Sequence, residues 1–447
     1  MNYDLSKKIN FQLNFISFYG LMILPLAYIF SSALINLLVV IIVLNFLLSS
    51  YIYKNYSIID NNFFKIVIIF WFYISIQSFF LDNANSLKSI FYLRFLLLPF
   101  AIAYLLNNNL DKINRLKFFY LFIVMLVIID ILIQFYTGKD LLGYRADHIN
   151  GFFQSFENWN THRLQRFAGP FGFDKRAGTF ILIFGIIGYF LNQTDKNNLN
   201  IYYNVIFIFI LTSSIIITGD RSPFLSLLIL FVFMFFLEKK YRRQIFFISC
   251  TCLIIFILFL SFSKTVSYRY IKNITDYSIS IVPEHESNQK NSNNLDRKSI
   301  NFNKRFKKII YDNPWSAHYL TAFEIFQSSP IFGKGVRSFR FECNKYPDIN
   351  SSYAKARCST HPHNSLFELL SEVGVLGLMI FLLILYELFK LTKQKSYFNN
   401  IYFFLLISLI VPIKPTGAIF STWFGSICWL IISFYFWEKN KCKVKSL

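Results

Sequence analysis

Residues 359–377 read STHPHNSLFELLSEVGVLG and run on, still apolar, to about residue 390. A chain with only six histidines here sets His361 and His363 on either side of Pro362, where a polar loop gives way to a long apolar helix. Proline suits the first turn of a helix, which places His363 and Asn364 on the opening turn. The unpaired N–H groups and positive dipole end at such a start attract anions and disfavour a protonated imidazole. A neutral His363 at that position can act as a base near neutral pH. Asn364, Glu368 and Ser371 or Glu372 follow at helical spacing and are expected to form a polar stripe facing a cavity. The bland reading is a capping histidine followed by interfacial polar residues, with Gly374 and Gly377 as a small-residue contact between helices. Metal binding by His361 and His363 is not expected, because two residues of separation is a poor chelating pair on a helix, where i and i+4 is the natural spacing.

The helix that follows is one of many. Of 447 residues, 55% are hydrophobic and 15% charged, too apolar for a soluble globular chain, so the expected class is an all-α polytopic membrane protein. With about 20 apolar residues needed to cross a bilayer, spans are expected near 13–30, 33–53, 63–82, 88–106, 117–136, 177–193, 201–218, 222–238, 244–262, 364–390, 398–413 and 415–437, about twelve in all. Lys7 and Lys8 precede the first apolar run without a small-residue cleavage site after it, so that run is expected to be a retained span. Three regions result: residues 1–262 with nine spans and a first outer loop at about 137–176, a large polar loop over 263–363, and residues 364–447 with three spans and the basic tail EKNKCKVKSL.

The charge pattern orients this arrangement. With a cytoplasmic amino terminus, the short inner connections carry Lys112, Arg115 and Lys117, then Lys239, Lys240, Arg242 and Arg243, then Lys390, Lys393 and Lys395, as the positive-inside rule requires. The net charge of +21 exceeds what topology needs, because the long outer loop is basic too: DRKSINFNKRFKK over 296–308, then Lys334, Arg337, Arg340, Lys345, Lys355 and Arg357. Within that loop NQKNSNNLDRK is polar, and AHYLTAFEIF over 317–326 has helical spacing suited to the membrane surface. Walker loops, H-E-x-x-H and C-x-x-C pairs are lacking, so nothing supports ATP use or a structural zinc site.

Outer cations converge around short turns. TGDRSPF places Arg221 between two spans, an unfavoured place for arginine unless it meets a ligand, a lipid phosphate or Asp220. Its planar guanidinium suits phosphate oxygens. RLQRFAGPFGFDKRAGTF adds Arg163, Arg166, Lys175 and Arg176 around glycines. Arg94 and Asp130 lie inside apolar runs, either as functional charges or paired with one another. Cys250, Cys252 and Cys428 read as packing residues and Cys442 as a free thiol. Cys343 and Cys358 share one polar loop on the oxidising side, where a disulfide closing about 15 residues contributes ~3 kcal/mol and staples the segment leading to His361.

Taken together, these motifs resemble the O-antigen ligase and O-antigen polymerase superfamily. Its signature, a His followed by Asn, Ser or Gln, nine residues and G-x-x-G, reads here as His363, Asn364, SLFELLSEV and Gly374-Val375-Leu376-Gly377. DILIQFYTGKDLLGY and RFAGPFGFDKRAGTF resemble the first outer-loop motifs of the ligase branch, TGDRS its arginine turn, and AFEIFQSSPIFGKGVRSFRFEC the stretch before the signature helix. Asp174, Lys175 and Arg176 stand where ligases more often show an acidic residue.

The resemblance implies a metal-independent, cofactor-free GT-C-type glycosyltransferase of the bacterial inner membrane with its active site facing the periplasm. Its partners would be an undecaprenyl-pyrophosphate-linked glycan donor, a lipid A core acceptor and membrane lipids, with no nucleic acid. Arg221 and His363 match the essential arginine and histidine; Arg166, Arg340, His318 and Asn364 are expected to contact the diphosphate. His363 would serve as base or as phosphate ligand. An O-antigen ligase is the expected activity in lipopolysaccharide biosynthesis. The alternatives are an O-antigen polymerase, then a protein-glycosylating ligase. A lipid-linked glycan transporter or a sensor protein would belong to different classes.

Overall fold

The computed structural model describes residues 3–53, 60–81, 86–146, 166–172, 174–191, 201–239, 242–267, 270–271, 314–346, 354–393 and 400–444. Arg163, Lys240, Lys395 and the stretches NQKNSNNLDRK and DRKSINFNKRFKK lie outside them.

Regular structure among the described residues is helical. Seven stretches are long and apolar enough to cross a membrane: 11–30, 32–52, 62–80, 87–107, 110–137, 242–262 and 365–392. The helices over 177–190, 203–217, 221–237 and 401–410 are equally apolar but shorter. Aromatic and aliphatic side chains line the interior, with Trp429, Trp437, Tyr28, Tyr120 and Tyr402 among the largest fully buried. Others, such as Phe80, Phe118 and Phe262, stay exposed on the outer faces of their helices, as lipid-facing positions must.

In chain order, α1 is Tyr3–Phe30, α2 Ser32–Ile52 and α3 Asn62–Phe80. The fourth expected span is broken into α4 Ser86–Phe91, α5 Leu93–Leu96 and α6 Leu98–Asn107, with Pro99 opening the last piece. Next come α7 Ile113–Thr137, α8 Ala177–Phe190, α9 Ile201–Ile217, α10 Arg221–Leu237 and α11 Arg242–Phe262. The short α12 is Lys264–Ser267, and the loop helices are α13 Pro314–Ser328 and α14 Phe339–Glu342. The signature helix is α15 Ser365–Thr392, followed by α16 Ile401–Ile410 and α17 Thr422–Val444.

One segment departs from expectation in a way that matters for function. The last two spans were expected to meet at residues 413–415, but α16 stops at Ile410 and α17 starts at Thr422. Pro412, Pro415 and Gly417 interrupt the helix here, and residues 411–421 form a strap across the mouth of the signature helix. α13 packs on that same helix, with the rings of Tyr319 and Phe367 stacked at 5.4 Å.

The ends of the bundle are chemically distinct. At one end lie the two outer loops and the strap. At the other, Asn400 Nδ2 donates to Glu238 Oε1 at 2.6 Å and Trp437 Nε1 to Asn107 Oδ1 at 3.0 Å, beside the basic connections that hold Lys112, Lys239, Arg242 and Lys390.

Arg94 and Asp130 do not pair. Arg94 donates to Asn36 Oδ1 (2.9 Å) and to the Phe91 carbonyl. Asp130 accepts from the Leu141 N–H at 2.7 Å and, with Gln134 receiving the Gly169 N–H at 2.9 Å, fixes the first outer loop on α7. Backbone N–H groups of an adjoining loop were nearer partners than a cation on another helix.

Candidate active site

The signature helix begins three residues later than its proline suggests, at Ser365. Asn364 is the N-cap, with its Oδ1 accepting from the N–H of Leu366 (3.1 Å) and Phe367 (3.3 Å). Asparagine is among the best N-cap residues, and its capping bonds decide the boundary. Its Nδ2 donates to the Pro412 carbonyl at 2.8 Å. Asn364 thus holds the strap to the helix start. Pro362 and His363 precede the helix, and His363 takes the left-handed conformation, φ 57°. A histidine adopts that region at some cost, so its backbone is held from outside: the His363 carbonyl accepts the Thr416 N–H at 2.9 Å.

This turn brings three of the six histidines together. The rings of His361 and His363 lie 4.0 Å apart, those of His318 and His363 5.3 Å apart, and Trp315 packs edge-on against His363 at 4.7 Å. Two of the three imidazoles are engaged. His361 meets Thr360 Oγ1 through Nδ1 (3.0 Å) and the Thr416 carbonyl through Nε2 (3.4 Å), and His318 Nδ1 lies 3.1 Å from the Arg357 carbonyl. The ring nitrogens of His363 have no hydrogen-bond partner among the described residues. Burial, then the neighbouring His361 and His318, lowers the His363 pKa to about 3, and burial lowers His361 to about 4. All three rings are neutral at physiological pH. Among the described residues, no group of three or more His, Cys, Asp or Glu side chains is arranged to hold a metal ion.

The polar stripe forms, but it grips backbone instead of facing a cavity. Glu368 accepts from the N–H groups of Ile419 (2.9 Å) and Phe420 (3.3 Å) on the strap. One turn on, Glu372 accepts from Arg337 (2.6 Å) and Phe339 (3.4 Å) on the outer loop. Both side chains are about 1% exposed, and each buried carboxyl group is satisfied by two backbone donors.

Gly374 is likewise no simple helix contact. It stands at φ 66° inside the helix and opens the ladder. Residues Pro330–Gly335 enter the gap: the Val375 N–H donates to the Pro330 carbonyl (2.9 Å) and the Gly335 N–H to Glu372 O (2.8 Å). From α3, Tyr73 and Gln77 donate to the freed carbonyls of Val373 (2.6 Å) and Glu372 (2.7 Å). A Cβ on Gly374 would sit 2.6 Å from Gly333 N, which only glycine avoids. Gly377 does behave as expected: a Cβ there would meet Tyr73 at 2.8 Å on α3.

Arg221 opens α10 at the same end, behind the N-cap Asp220. Asp220 pairs with Arg166 at 3.6 Å, not with its sequence neighbour, and the Phe167 N–H donates to the Thr218 carbonyl at 3.1 Å, seating Arg166 beside the arginine turn. The Arg221 guanidinium has no hydrogen bond or ion pair among the described residues. Ser222 Oγ donates to the Pro415 carbonyl at 3.0 Å, so the strap that holds His363 also holds this turn. The strap adds a cation that the sequence reading missed. Lys414 is 5% exposed and donates to Leu409 O (3.1 Å) and toward Ser222 Oγ (3.4 Å), with burial lowering its pKa to about 8. A lysine between two prolines in an otherwise apolar run was the signal for it.

The second loop supplies Arg340, whose Nη2 donates to the Thr360 carbonyl at 3.2 Å, one residue before His361, while its buried Nε has no partner. Cys343 and Cys358 form a disulfide with Cα atoms 5.4 Å apart, over a small core of Ala322, Ile325 and Phe339. Arg176 lies further off, paired with Asp174 at 3.4 Å and over the ring of Trp423 at 5.1 Å.

One strap thus holds both the turn that precedes a neutral, unengaged imidazole and the turn that presents an unpaired guanidinium, with Arg166 seated at the latter and Arg340 reaching the segment before His361. No curated protein matches the chain. Residues 206–382 match the family model described as O-antigen ligase. That match takes in both the arginine turn and the His363–Gly377 signature helix, and it supports the likeness of this part of the chain to the O-antigen ligase and polymerase superfamily.

Proposed function

We propose that this protein is an O-antigen ligase that transfers a glycan from undecaprenyl pyrophosphate to a sugar hydroxyl of the lipid A core at the periplasmic face of the inner membrane. In this reading the chain crosses the membrane about twelve times in a GT-C-type arrangement, and the histidine end of the bundle faces outward, opposite the basic connections. The observation that carries the reading is the free imidazole of His363 fastened by one strap to the turn that presents Arg221.

The chemistry follows from charge. As the bond from the anomeric carbon to the diphosphate oxygen breaks, negative charge collects on the leaving group, and cations fixed around it stabilise that state more than the ground state. Arg221 and Arg166, with Arg340 from the loop, supply those cations. The acceptor hydroxyl attacks from the opposite face, giving inversion, and His363 takes its proton. A bound diphosphate raises the low pKa of His363, because a nearby anion favours the imidazolium. The donor thereby turns a weak base into a competent one. A neutral His363 favours the base over the phosphate ligand.

The test is lipopolysaccharide gel analysis of a deletion strain complemented with wild type or His363→Ala, together with analysis of undecaprenyl-linked glycan. Long lipid-linked chains with a bare core are expected in the deletion and in His363→Ala. Single repeat units capping the core would instead mean a polymerase, and normal surface glycan would sink both.

A further inference from the structure

Trp315 stands in the first turn of α13, directly after Pro314. Its ring meets that of His363 at 4.7 Å and that of His318 at 6.2 Å, both contacts edge to face and neither stacked. The residue is still 41% exposed. The other described tryptophans all commit their N–H: Trp71 to Ile90 O, Trp423 to Tyr28 O, Trp429 to Tyr92 Oη and Trp437 to Asn107 Oδ1. The Trp315 Nε1–H has no hydrogen-bond partner among the described residues. A loose helix does not account for this. Ala317, Ala322 and Ile325 of α13 are fully buried, and Tyr319, one turn on, is stacked on Phe367 of the signature helix. An exposed indole is therefore held in place beside the unengaged imidazole.

The polar atoms around the indole define what it can hold. His318 Nδ1 faces the Arg357 carbonyl at 3.1 Å, which puts the ring proton on that nitrogen and leaves Nε2 as an acceptor. Both nitrogens of His361 are spent on Thr360 and Thr416, whereas those of His363 are open. One free N–H and several neutral nitrogen acceptors thus border an aromatic surface. An acyl chain would cover that surface and leave the polar atoms unmatched. A phosphate would leave the surface bare and meet nitrogen lone pairs. A pyranose ring uses both features: its C–H groups, slightly positive, lie on the electron-rich indole face, and its hydroxyls bond at the edge to the N–H and the imidazoles.

We propose that Trp315 is a stacking platform for a pyranose ring, held with its hydroxyls toward His363, His318 Nε2 and the indole N–H. The identification of that ring as the acceptor sugar rests on the ligase reading, in which His363 takes the proton of the attacking hydroxyl; the platform itself does not. The site then divides by chemistry. The neutral aromatic corner on α13 takes a sugar, and the arginine turn at Arg221 takes the diphosphate.

The first measurement reads sugar contact without transfer. Methyl β-D-glucopyranoside and methyl β-D-galactopyranoside would be added in turn to the full chain in phospholipid nanodiscs and followed by saturation-transfer NMR. H1, H3 and H5 share one face of either ring, so stacking should saturate them in preference to H2. Trp315→Phe, which keeps an aromatic face, should retain most of the signal. Trp315→Leu should weaken it roughly three- to tenfold, the scale of one aromatic contact, and Arg221→Gln should keep it. No saturation in wild type, equal saturation in Trp315→Leu, which would leave Trp315 as an aromatic of the membrane interface, or an equal loss in Arg221→Gln overturns the platform. The second measurement is transfer from undecaprenyl-linked glycan to lipid A core. Trp315→Leu should raise KM for the acceptor by the same factor and leave KM for the donor unchanged; a rise for the donor instead overturns the acceptor assignment. Wild type without transfer but with saturation that depends on Trp315 would sink the ligase reading and leave the platform standing.

Discussion

Ser222 and His363 are fastened to consecutive residues of one strap: Ser222 Oγ donates to the Pro415 carbonyl at 3.0 Å, and the Thr416 N–H donates to the His363 carbonyl at 2.9 Å. Two helices far apart in sequence are thereby set at fixed spacing, with Arg221 next to one fastening and the imidazole on the other. Removing the Ser222 hydroxyl leaves a half-buried carbonyl without its donor, a loss of about 1 kcal/mol. Ser222→Ala should therefore lower the melting temperature slightly and turnover more, because a site loosened by a fraction of an ångström loses alignment first. Thermal unfolding and single-turnover transfer on the same preparation check this; unchanged turnover would show that the strap does not set the spacing.

The break at Gly374 makes a second prediction. A Cβ there meets the backbone of Ile331 and Gly333, and φ 66° is itself unfavourable for any other residue. Gly374→Ala should cost at least about 2–4 kcal/mol, from the left-handed penalty plus the expulsion of the Pro330–Gly335 segment. The variant should also expose that loop to protease. Tyr73→Phe removes one hydroxyl, shared between the Val373 carbonyl (2.6 Å) and the Phe332 carbonyl (3.3 Å); it should lose about 1 kcal/mol and keep the loop protected, because Gln77 still donates to the Phe332 and Glu372 carbonyls. Limited proteolysis of the two variants separates a helix break that seats the loop from a packing contact.

How far the sequence carries can be judged from these two features. His363, Arg221, Arg166 and Arg340 were legible because each sits in a short motif whose residue types already state their chemistry, and the structure brings all four to one end of the bundle. The strap was not legible. VPIKPTGAIFS is apolar enough to be absorbed into flanking spans when hydropathy is averaged over a window, although Pro412, Pro415 and Gly417 mark a chain that cannot continue as helix. Gly374 was read by its spacing from Gly377, whereas its backbone conformation depends on Gly333 from a separate segment, which no local pattern reveals. The same holds for Glu368 and Glu372: helical spacing placed them on one face, but only the fold shows that the face is filled by backbone.

The histidine cluster makes a prediction about pH. His361 and His363 are held neutral in the folded chain, with pKa values of about 4 and about 3 against 6.5 for an ordinary imidazole. Between pH 6.5 and about 3 the unfolded chain binds more protons at these positions than the folded one, so their contribution to stability is full above pH 6.5 and declines as pH falls through that window. Melting temperature should drop from pH 7.5 to pH 5, and the drop should be smaller in His363→Ala. For activity, kcat/KM reports the free enzyme and should show no acid limb near 6.5. The limb in kcat should lie higher than that in kcat/KM, because the bound diphosphate raises the pKa of His363. Coincident limbs near 6.5 in both would transfer the base role to an exposed group.

The left-handed backbone of His363 allows its conformational and chemical roles to be separated. At φ 57°, alanine carries a left-handed penalty of about 1–2 kcal/mol that glycine does not. His363→Gly should therefore be more stable than His363→Ala, with the Thr416 N–H still bound to the residue 363 carbonyl. Both should lose transfer by at least roughly 10²-fold, the scale of a general base. The cavity left in His363→Gly is bordered by Trp315, His318 and His361, rings against which a free imidazole can pack. Added imidazole should restore part of the rate in His363→Gly, increasingly as pH rises toward 8, and restore none in Arg221→Gln. Rescue limited to the glycine variant would identify the lost group as a proton acceptor. If donor binding, read by protection from thermal unfolding, fell as far as the rate and imidazole restored neither, His363 would hold the diphosphate and the base would lie elsewhere.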